Sequence, residues 1–181
     1  MNRKETTKFL GNLLSDRFAG LGKYWAREVS IDYGTTDVKR VDFMQFEPAG
    51  VTRVSDIEKG IFICYEVKSC KQDVYSGSGL NFLGEKNYIV TTMKCYKDML
   101  PDLRDGTFFS HLHEVNPDSS SNFGIMVAIP SESEVADEFE NPTDIDYENK
   151  NWKLVVMQNC NIGRRKRSMM ELLFCMLRSG Q

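Results

Sequence analysis

Hydrophobic and polar residues follow two different periods along this chain, and the two periods predict its helices and strands. Apolar residues recur at helical spacing in the segments 6–20, 93–100 and 169–177. Apolar or alternating runs typical of strands occupy six further segments: 24–33, 38–46, 61–68, 86–91, 123–129 and 152–157. Because strands alternate with helices across long crossovers, we predict an α/β fold, a mixed sheet flanked by helices.

Two polar segments interrupt this predicted core. Residues 107–122 hold both histidines and a run of serines, and residues 131–150 hold eight carboxylates with no basic residue before Lys150. We expect both segments to be solvated loops inserted into one domain that spans residues 1–181. The helix that starts near Met93 is expected to stop at Pro101.

Composition narrows the class of protein. With 181 residues, 41% of them hydrophobic, the chain is long enough for one domain with a sizeable core. Its formal charge of −3 neither supports nor excludes a nucleic-acid partner. The five cysteines are scattered and odd in number, which is typical of reduced thiols. No window approaches the roughly 20 apolar residues of a membrane span, so we expect a cytoplasmic protein without membrane contact.

Three charged residues stand in or at the end of apolar strands and suggest chemistry. Asp42 lies in the second predicted strand, and Glu66 and Lys68 end the third. Residues two apart in a strand share a face, so Glu66 and Lys68 stand side by side. Two carboxylates brought together repel each other, and a divalent cation such as Mg²⁺ relieves the repulsion while it uses both as oxygen ligands. The pattern therefore points to metal-dependent hydrolysis of a phosphodiester.

A plainer interpretation stands beside this one. A Glu-x-Lys pair alone is usually a solvated ion pair that contributes about 0.2–1 kcal/mol. Here the pair follows an unbroken apolar strand, a second carboxylate precedes it, and the glycine-rich segment 76–79 follows it. This context favours a site.

The residues around the trio resemble the PD-(D/E)xK nuclease superfamily. The resemblance rests on Val41-Asp42-Phe43 and on the stretch from Ile61 to Ser69, with Val41 in place of the proline of the family's name. Two later segments, 87–90 before a helix and the basic turn before a helix ending in 177–179, are similar to the MmcB-like group linked to DNA repair. The resemblance covers most of the chain apart from the two insertions.

This resemblance implies a restriction-endonuclease-like fold and a deoxyribonuclease that uses Mg²⁺ or Mn²⁺ in DNA repair, recombination or the processing of phage or mobile-element DNA. It implies that Asp42 and Glu66 bind the metal and that Lys68 is the catalytic lysine. Glu28 is a candidate for an additional upstream acid, and the alternative is an exposed strand carboxylate that faces solvent. The alternative is a nucleic-acid-binding or protein-interaction module without turnover. DNA is the expected partner, and the sequence leaves a homodimer open.

Three further motifs have competing interpretations. The basic run Arg164, Arg165, Lys166 and Arg167 either contacts DNA phosphates or is a solvated turn before a helix. The pair His111 and His113 resembles a His-x-His metal motif. The polar, serine-rich segment around it lacks the buried partners that orient a ligand histidine, so we expect that the pair does not bind metal. The acidic segment is expected to be a solvating surface, with a DNA mimic that guards the site as a second hypothesis.

Overall fold

The six predicted strands all form, and they assemble into one mixed sheet. In the computed structural model, which describes residues 2–20, 23–50, 53–117, 122–146 and 151–179, the spatial order of the strands follows the chain order. The strands are β1 (Tyr24–Ile31), β2 (Lys39–Glu47), β3 (Ile61–Val67), β4 (Lys86–Thr92), β5 (Gly124–Pro130) and β6 (Trp152–Gln158). Strands β3, β4 and β5 run parallel, and the other neighbours pair antiparallel. The predicted α/β class is thus confirmed.

Seven helices flank the sheet in the described part of the chain. They are α1 (Arg3–Phe18), α2 (Val54–Glu58), α3 (Lys71–Val74), α4 (Met93–Asp105), α5 (Thr107–Val115), α6 (Val135–Glu140) and α7 (Met169–Ser179). None of the described helices is long and apolar enough to cross a membrane.

Side chains that alternate along the strands divide the core between the two faces of the sheet. On one face Leu10, Leu14 and Phe18 of α1 pack on alternate residues of β3 and β5. On the other face α7 packs against β1, β2 and β3, while α4 and α5 pack against β4 and β5. Glu66 shares this second face with Cys64, because residues two apart in a strand point the same way.

The predicted alternation of β1 is wrong at its centre. Ala26 and Val29 pack in the same cluster as Leu172 of α7, although regular alternation would put residues three apart on opposite faces. Glu28, between them, has a φ of 52°. This positive φ turns the strand over, so Trp25 packs on the opposite face of the sheet from Val29 and Ile31, whereas regular alternation would put all three on one face.

The first polar segment was expected to be a loop, and that expectation is wrong for most of it. Thr107–Val115 forms α5, in which Phe108 and Leu112 are fully buried and pack against β4 and β5. Apolar residues at i and i+4 supply the contact face. The serine and the histidines around them make the segment polar in composition, so its helical pattern was not recognised. Residues 118–121 lie outside the described residues.

The second polar segment is also partly folded. Val135–Glu140 forms α6, and Glu138 is only 4% exposed, with its carboxylate accepting hydrogen bonds from the backbone N–H and hydroxyl of Thr143. The acidic composition of the segment gave no indication that the Glu138 carboxylate is buried. Residues 147–150 lie outside the described residues.

The expected stop at Pro101 is wrong as well. Helix α4 continues through Pro101 to Asp105. Beyond the proline, Leu103 still packs against the core cluster that holds Met99. Tertiary packing on both sides of the proline therefore outweighs its local cost.

Candidate active site

Asp42 and Glu66 lie opposite each other on neighbouring antiparallel strands. Regular pairing of β2 and β3 ends with Phe43 opposite Tyr65, and the next position along the same register places Asp42 opposite Glu66. The backbone N–H of Val67 donates a hydrogen bond of 2.8 Å to Oδ2 of Asp42. Opposite residues in an antiparallel pair have Cα atoms about 4.5–5.5 Å apart, so Asp42 and Glu66 lie at one level of the sheet.

Glu28 belongs to the same row. Arg27 pairs with Phe43 and Val29 with Val41, so Glu28 lies opposite Asp42 on the edge strand β1. Its negative charge is one of the influences that raise the pKa of Asp42, after burial, which is the largest. However, the Glu28 carboxylate forms a 2.8 Å ion pair with Arg40, and both side chains are mostly exposed. The structure brings Glu28 next to the site but turns its charge toward Arg40.

Glu66 is a buried acid with incomplete hydrogen bonding. Its residue is 1% exposed, and its Oε1 atom has no hydrogen-bond partner. Burial first, and then the charge of Asp42, raise the pKa of Glu66 well above the ordinary 4.5, although Lys68 and hydrogen bonds from Asn81 act in the opposite direction. A buried oxygen that nothing satisfies is costly unless a ligand completes it.

Lys68 is held on its backbone and on its side chain. Its N–H donates to the carbonyl of Val90, and its carbonyl accepts from the Thr91 hydroxyl at 2.6 Å. The ammonium donates to the carbonyl of Ser78 at 2.5 Å, and the residue is 4% exposed. Lys68 thus presents a fixed positive charge beside Glu66.

The segment from Ser78 to Asn81 packs against Glu66 and Lys68. Gly79 has a φ of +72°, and a Cβ atom there would lie 2.8 Å from Oε2 of Glu66 and 3.1 Å from Nζ of Lys68. A side chain at this position would therefore strain the backbone and displace the ends of Glu66 and Lys68. The side-chain amide of Asn81 donates to the carbonyl of Arg40, and that of Asn116 donates to the carbonyls of Leu80 and Asn81. These amides hold the segment against the site.

Sequence reasoning missed Asp73, a buried carboxylate on α3. Its Oδ2 atom accepts hydrogen bonds of 3.0 Å from both the N–H and the hydroxyl of Ser69, and its Oδ1 atom pairs with Arg3 of α1. Burial alone would raise the pKa of Asp73, but the hydrogen bonds from Ser69, the charge of Lys68 and the bond from Arg3 lower it overall. A serine four residues before an acid, directly after the Glu-x-Lys pair, was the available signal.

These groups line one open cleft of about 1250 Å³. Among the described residues of its lining, the carboxylates are Glu28, Asp37, Asp42, Glu66 and Asp73, and the cations are Arg3, Lys39, Arg40 and Lys68. The cleft therefore carries a slight excess of negative charge when all of these groups are ionised. Such a surface attracts a cation more strongly than a polyanion.

The donor set fits a hard divalent cation at Asp42 and Glu66. Two buried carboxylates with raised pKa values, one of them with an unpartnered oxygen, are oxygen ligands that a cation would satisfy. Within the described residues, no group of three or more His, Cys, Asp or Glu side chains is arranged to hold a metal ion. Two carboxylates would thus hold such an ion together with water or substrate oxygens.

The basic run and the histidines do not join this site. Arg165 pairs with Glu85 at 2.9 Å and contacts the carbonyl of Gly60, at the opposite end of β3 from Glu66, about 20 Å away at the usual strand rise. Arg167 pairs with Asp32. Arg164 is exposed and Lys166 is half-buried. The run is thus partly engaged in structural ion pairs.

His111 and His113 lie two residues apart on helix α5 and so point to different sides of it. His111 packs its ring 4.6 Å from that of Tyr75, and His113 is exposed. The acidic segment, as far as residues 131–146 describe it, does not line the cleft.

Comparison of the chain with protein-family models, with curated proteins and with solved structures found no match. The assignment of a function therefore depends on the geometry of this cleft and on the resemblance carried by the motif residues.

Proposed function

We propose that this protein is a metal-dependent deoxyribonuclease that hydrolyses phosphodiester bonds in DNA at the cleft around Asp42, Glu66 and Lys68. The observation that carries the proposal is the buried Glu66 carboxylate, which has one unpartnered oxygen and lies opposite Asp42 and beside a fixed lysine. DNA repair, recombination and the processing of phage or mobile-element DNA are the settings that we propose for it.

The three residues have separate roles in this proposal. Asp42 and Glu66 hold Mg²⁺ or Mn²⁺, an ion that polarises a phosphodiester and lowers the pKa of water. Lys68 places its ammonium where it stabilises the negative charge that develops on the phosphate, or where it helps to activate the attacking water. The carbonyl of Ser78 orients that ammonium, and Asp73 fixes the backbone directly after it.

The charge of the cleft also supports a cation requirement. With all the charged groups of its described lining ionised, the cleft has one carboxylate more than it has cations, which favours a cation over a phosphate backbone. A bound divalent ion would reverse this balance, and the half-buried Lys39, with Arg40 and Arg3 once they exchange their ion pairs with Glu28 and Asp73, would then contact phosphates. We extend the proposal to the fold. The mixed sheet, with the trio on the antiparallel pair β2 and β3, is proposed to be of restriction-endonuclease-like type.

A nuclease assay tests the proposal directly. Single-stranded, duplex and branched DNA are incubated with the protein in Mg²⁺, in Mn²⁺ and in EDTA, beside a Lys68→Ala variant and a control variant at the exposed Lys8. We expect cleavage that needs the metal, falls at least about 100-fold in Lys68→Ala and is unchanged in Lys8→Ala. Undiminished cleavage by Lys68→Ala would refute the mechanism.

The alternative function predicts a different result from the same experiment. A binding module without turnover would retain DNA in a gel-shift assay and would leave every substrate intact with either metal. That pattern, obtained with folded protein, would replace the nuclease by the binding module.

A further inference from the structure

Helix α7 is apolar around nearly its whole circumference. One side, with Leu172, Cys175 and Met176, packs into the core against β1 and β2. The other side presents Met170, Phe174 and Leu177, which are 80%, 63% and 72% exposed. These three positions, at i, i+4 and i+7, form one continuous stripe. A helix with apolar residues on all sides is normally enclosed, so the stripe calls for a covering partner.

A concave apolar surface lies directly beside the stripe. The groove between α2 and α7 measures about 790 Å³, and Leu177 belongs both to the stripe and to its lining. Three of its other lining residues are also exposed: Val54 at 79%, Tyr24 at 52% and Ile57 at 45%. The charged residues in the described lining are Lys23 and Arg53.

We propose that this face, the stripe together with the groove, binds a second copy of this chain about a two-fold axis. A two-fold interface uses the same patch on both subunits, so the patch must complement itself. Here a projecting row of large side chains adjoins an apolar groove on one surface. When the two copies face each other, each stripe can enter the groove of the other.

The exposed area agrees with a pair of identical subunits. The six exposed side chains are about half to four-fifths accessible, and at the roughly 150–250 Å² that a large side chain presents they amount to about 600–1,000 Å². A stable interface needs about 800 Å² per partner. Lys23 and Arg53 belong at the rim, since two like patches cannot bury the same cations against each other.

Sedimentation velocity between about 1 and 100 µM tests the proposal. We expect the wild-type chain to sediment as a dimer that persists at raised salt, because apolar contacts do not depend on charge screening. Phe174→Asp is expected to raise the dimer dissociation constant at least about 30-fold. The control is Ile162→Asp, which changes a side chain of similar exposure, 66%, outside the face and should leave the dimer intact.

Cross-linking adds a test of the two-fold arrangement. An equimolar mixture of Phe174→Cys and Val54→Cys chains is expected to form a disulfide-linked dimer under mild oxidation, because the stripe of one copy meets the groove of the other, whereas a mixture of Ile162→Cys and Val54→Cys chains is not. A wild-type chain that stays monomeric at about 100 µM would overturn the proposal. It would also be overturned if the dimer were insensitive to Phe174→Asp, or if the face bound lipid vesicles while the chain remained a monomer. None of these outcomes depends on nuclease activity.

Discussion

Asp42 accepts a 2.8 Å hydrogen bond from the backbone N–H of Val67, the residue that separates Glu66 from Lys68. The bond joins β2 to the end of β3 just beyond the last regularly paired residues, Phe43 and Tyr65. One carboxylate is thereby fixed to the backbone that carries the other two members of the trio. The arrangement of the three residues is consequently set by the fold before any ligand arrives.

Asp42 and Glu66 make the metal-free protein less stable as the pH rises. Burial, then the charge of Asp42, raise the pKa of Glu66 above 4.5, and burial also raises the pKa of Asp42 above 3.8. The folded state therefore holds protons that the unfolded chain has already released. The stability contributed by these protons is complete below about pH 4 and is lost as the pH rises through the raised pKa values.

Replacing Glu66 by glutamine removes part of this penalty. Without metal, Glu66→Gln is expected to raise the free energy of unfolding at neutral pH by about 1–2 kcal/mol, since a neutral amide avoids the cost of ionising a buried carboxyl group whose pKa is raised. The advantage should shrink as the pH approaches 4. Urea denaturation across this pH range measures it, with the exposed Glu114→Gln as control. A variant less stable than wild type at neutral pH would contradict the expectation.

Metal binding should stabilise the wild-type protein and depend on the same two carboxylates. We expect Mg²⁺ or Mn²⁺ at about 100 times its dissociation constant to add roughly 2.7 kcal/mol, seen as a rise in Tm. Asp42→Asn and Glu66→Gln should lose this rise. Glu28→Gln should keep most of it, because Glu28 pairs with Arg40. Loss of the rise in Glu28→Gln as well would make Glu28 a third ligand.

Gly79 and Gly77 form a matched pair for testing the closure over the site. Both have a positive φ, +72° and +73°, so alanine strains the backbone equally at either position. A Cβ on Gly79 meets Glu66 and Lys68, whereas a Cβ on Gly77 meets nothing closer than Val115 at 3.9 Å. Both variants should therefore lose about 1 kcal/mol of stability. Only Gly79→Ala should also lose metal binding, which titration calorimetry would measure.

The pattern of apolar residues predicted the strands of the sheet more accurately than it predicted the helices around the sheet. Each of the six strands forms within a residue or two of its predicted bounds, because strand burial leaves a direct trace in the local sequence. Helix α5 was missed because only Phe108 and Leu112 mark its buried side, and the polar residues around them dominate its composition. The change of side-chain direction in β1 at Glu28 could not be predicted from the sequence, since a positive φ at a non-glycine residue depends on tertiary packing.

The candidate site shows the same division between local and distant information. Glu66 and Lys68 could be paired from their spacing alone, and Asp42 from its place in an apolar strand. The closure by Ser78 and Gly79 and the anchoring of Ser69 by Asp73 could not, because they depend on how the chain returns after β3. The ion pair that occupies Glu28 likewise required coordinates.

Asp73 is expected to stabilise the site with a pH dependence opposite to that of Glu66. Its pKa is lowered in the folded state, so its contribution is present above pH 3.8 and is lost as the pH falls below that value. Asp73→Ala leaves the N–H and hydroxyl of Ser69 without their acceptor and should cost about 2–3 kcal/mol. Chemical denaturation measures the loss, with the exposed Asp37→Ala of the same cleft as control. Equal stability of the two variants would argue against an anchoring role.

Helix α5 provides a test of whether the first polar segment belongs to the core. Phe108 is fully buried and contacts the rings of Tyr75, Phe109 and Phe123. Phe108→Ala should therefore cost about 3–5 kcal/mol, the usual loss for a buried phenylalanine, because a cavity opens between α5 and the sheet. Val115→Ala at the exposed end of the same helix should cost less than about 1 kcal/mol. Thermal and urea unfolding of both variants distinguish a core helix from a solvated loop, in which the two changes would have equally small effects.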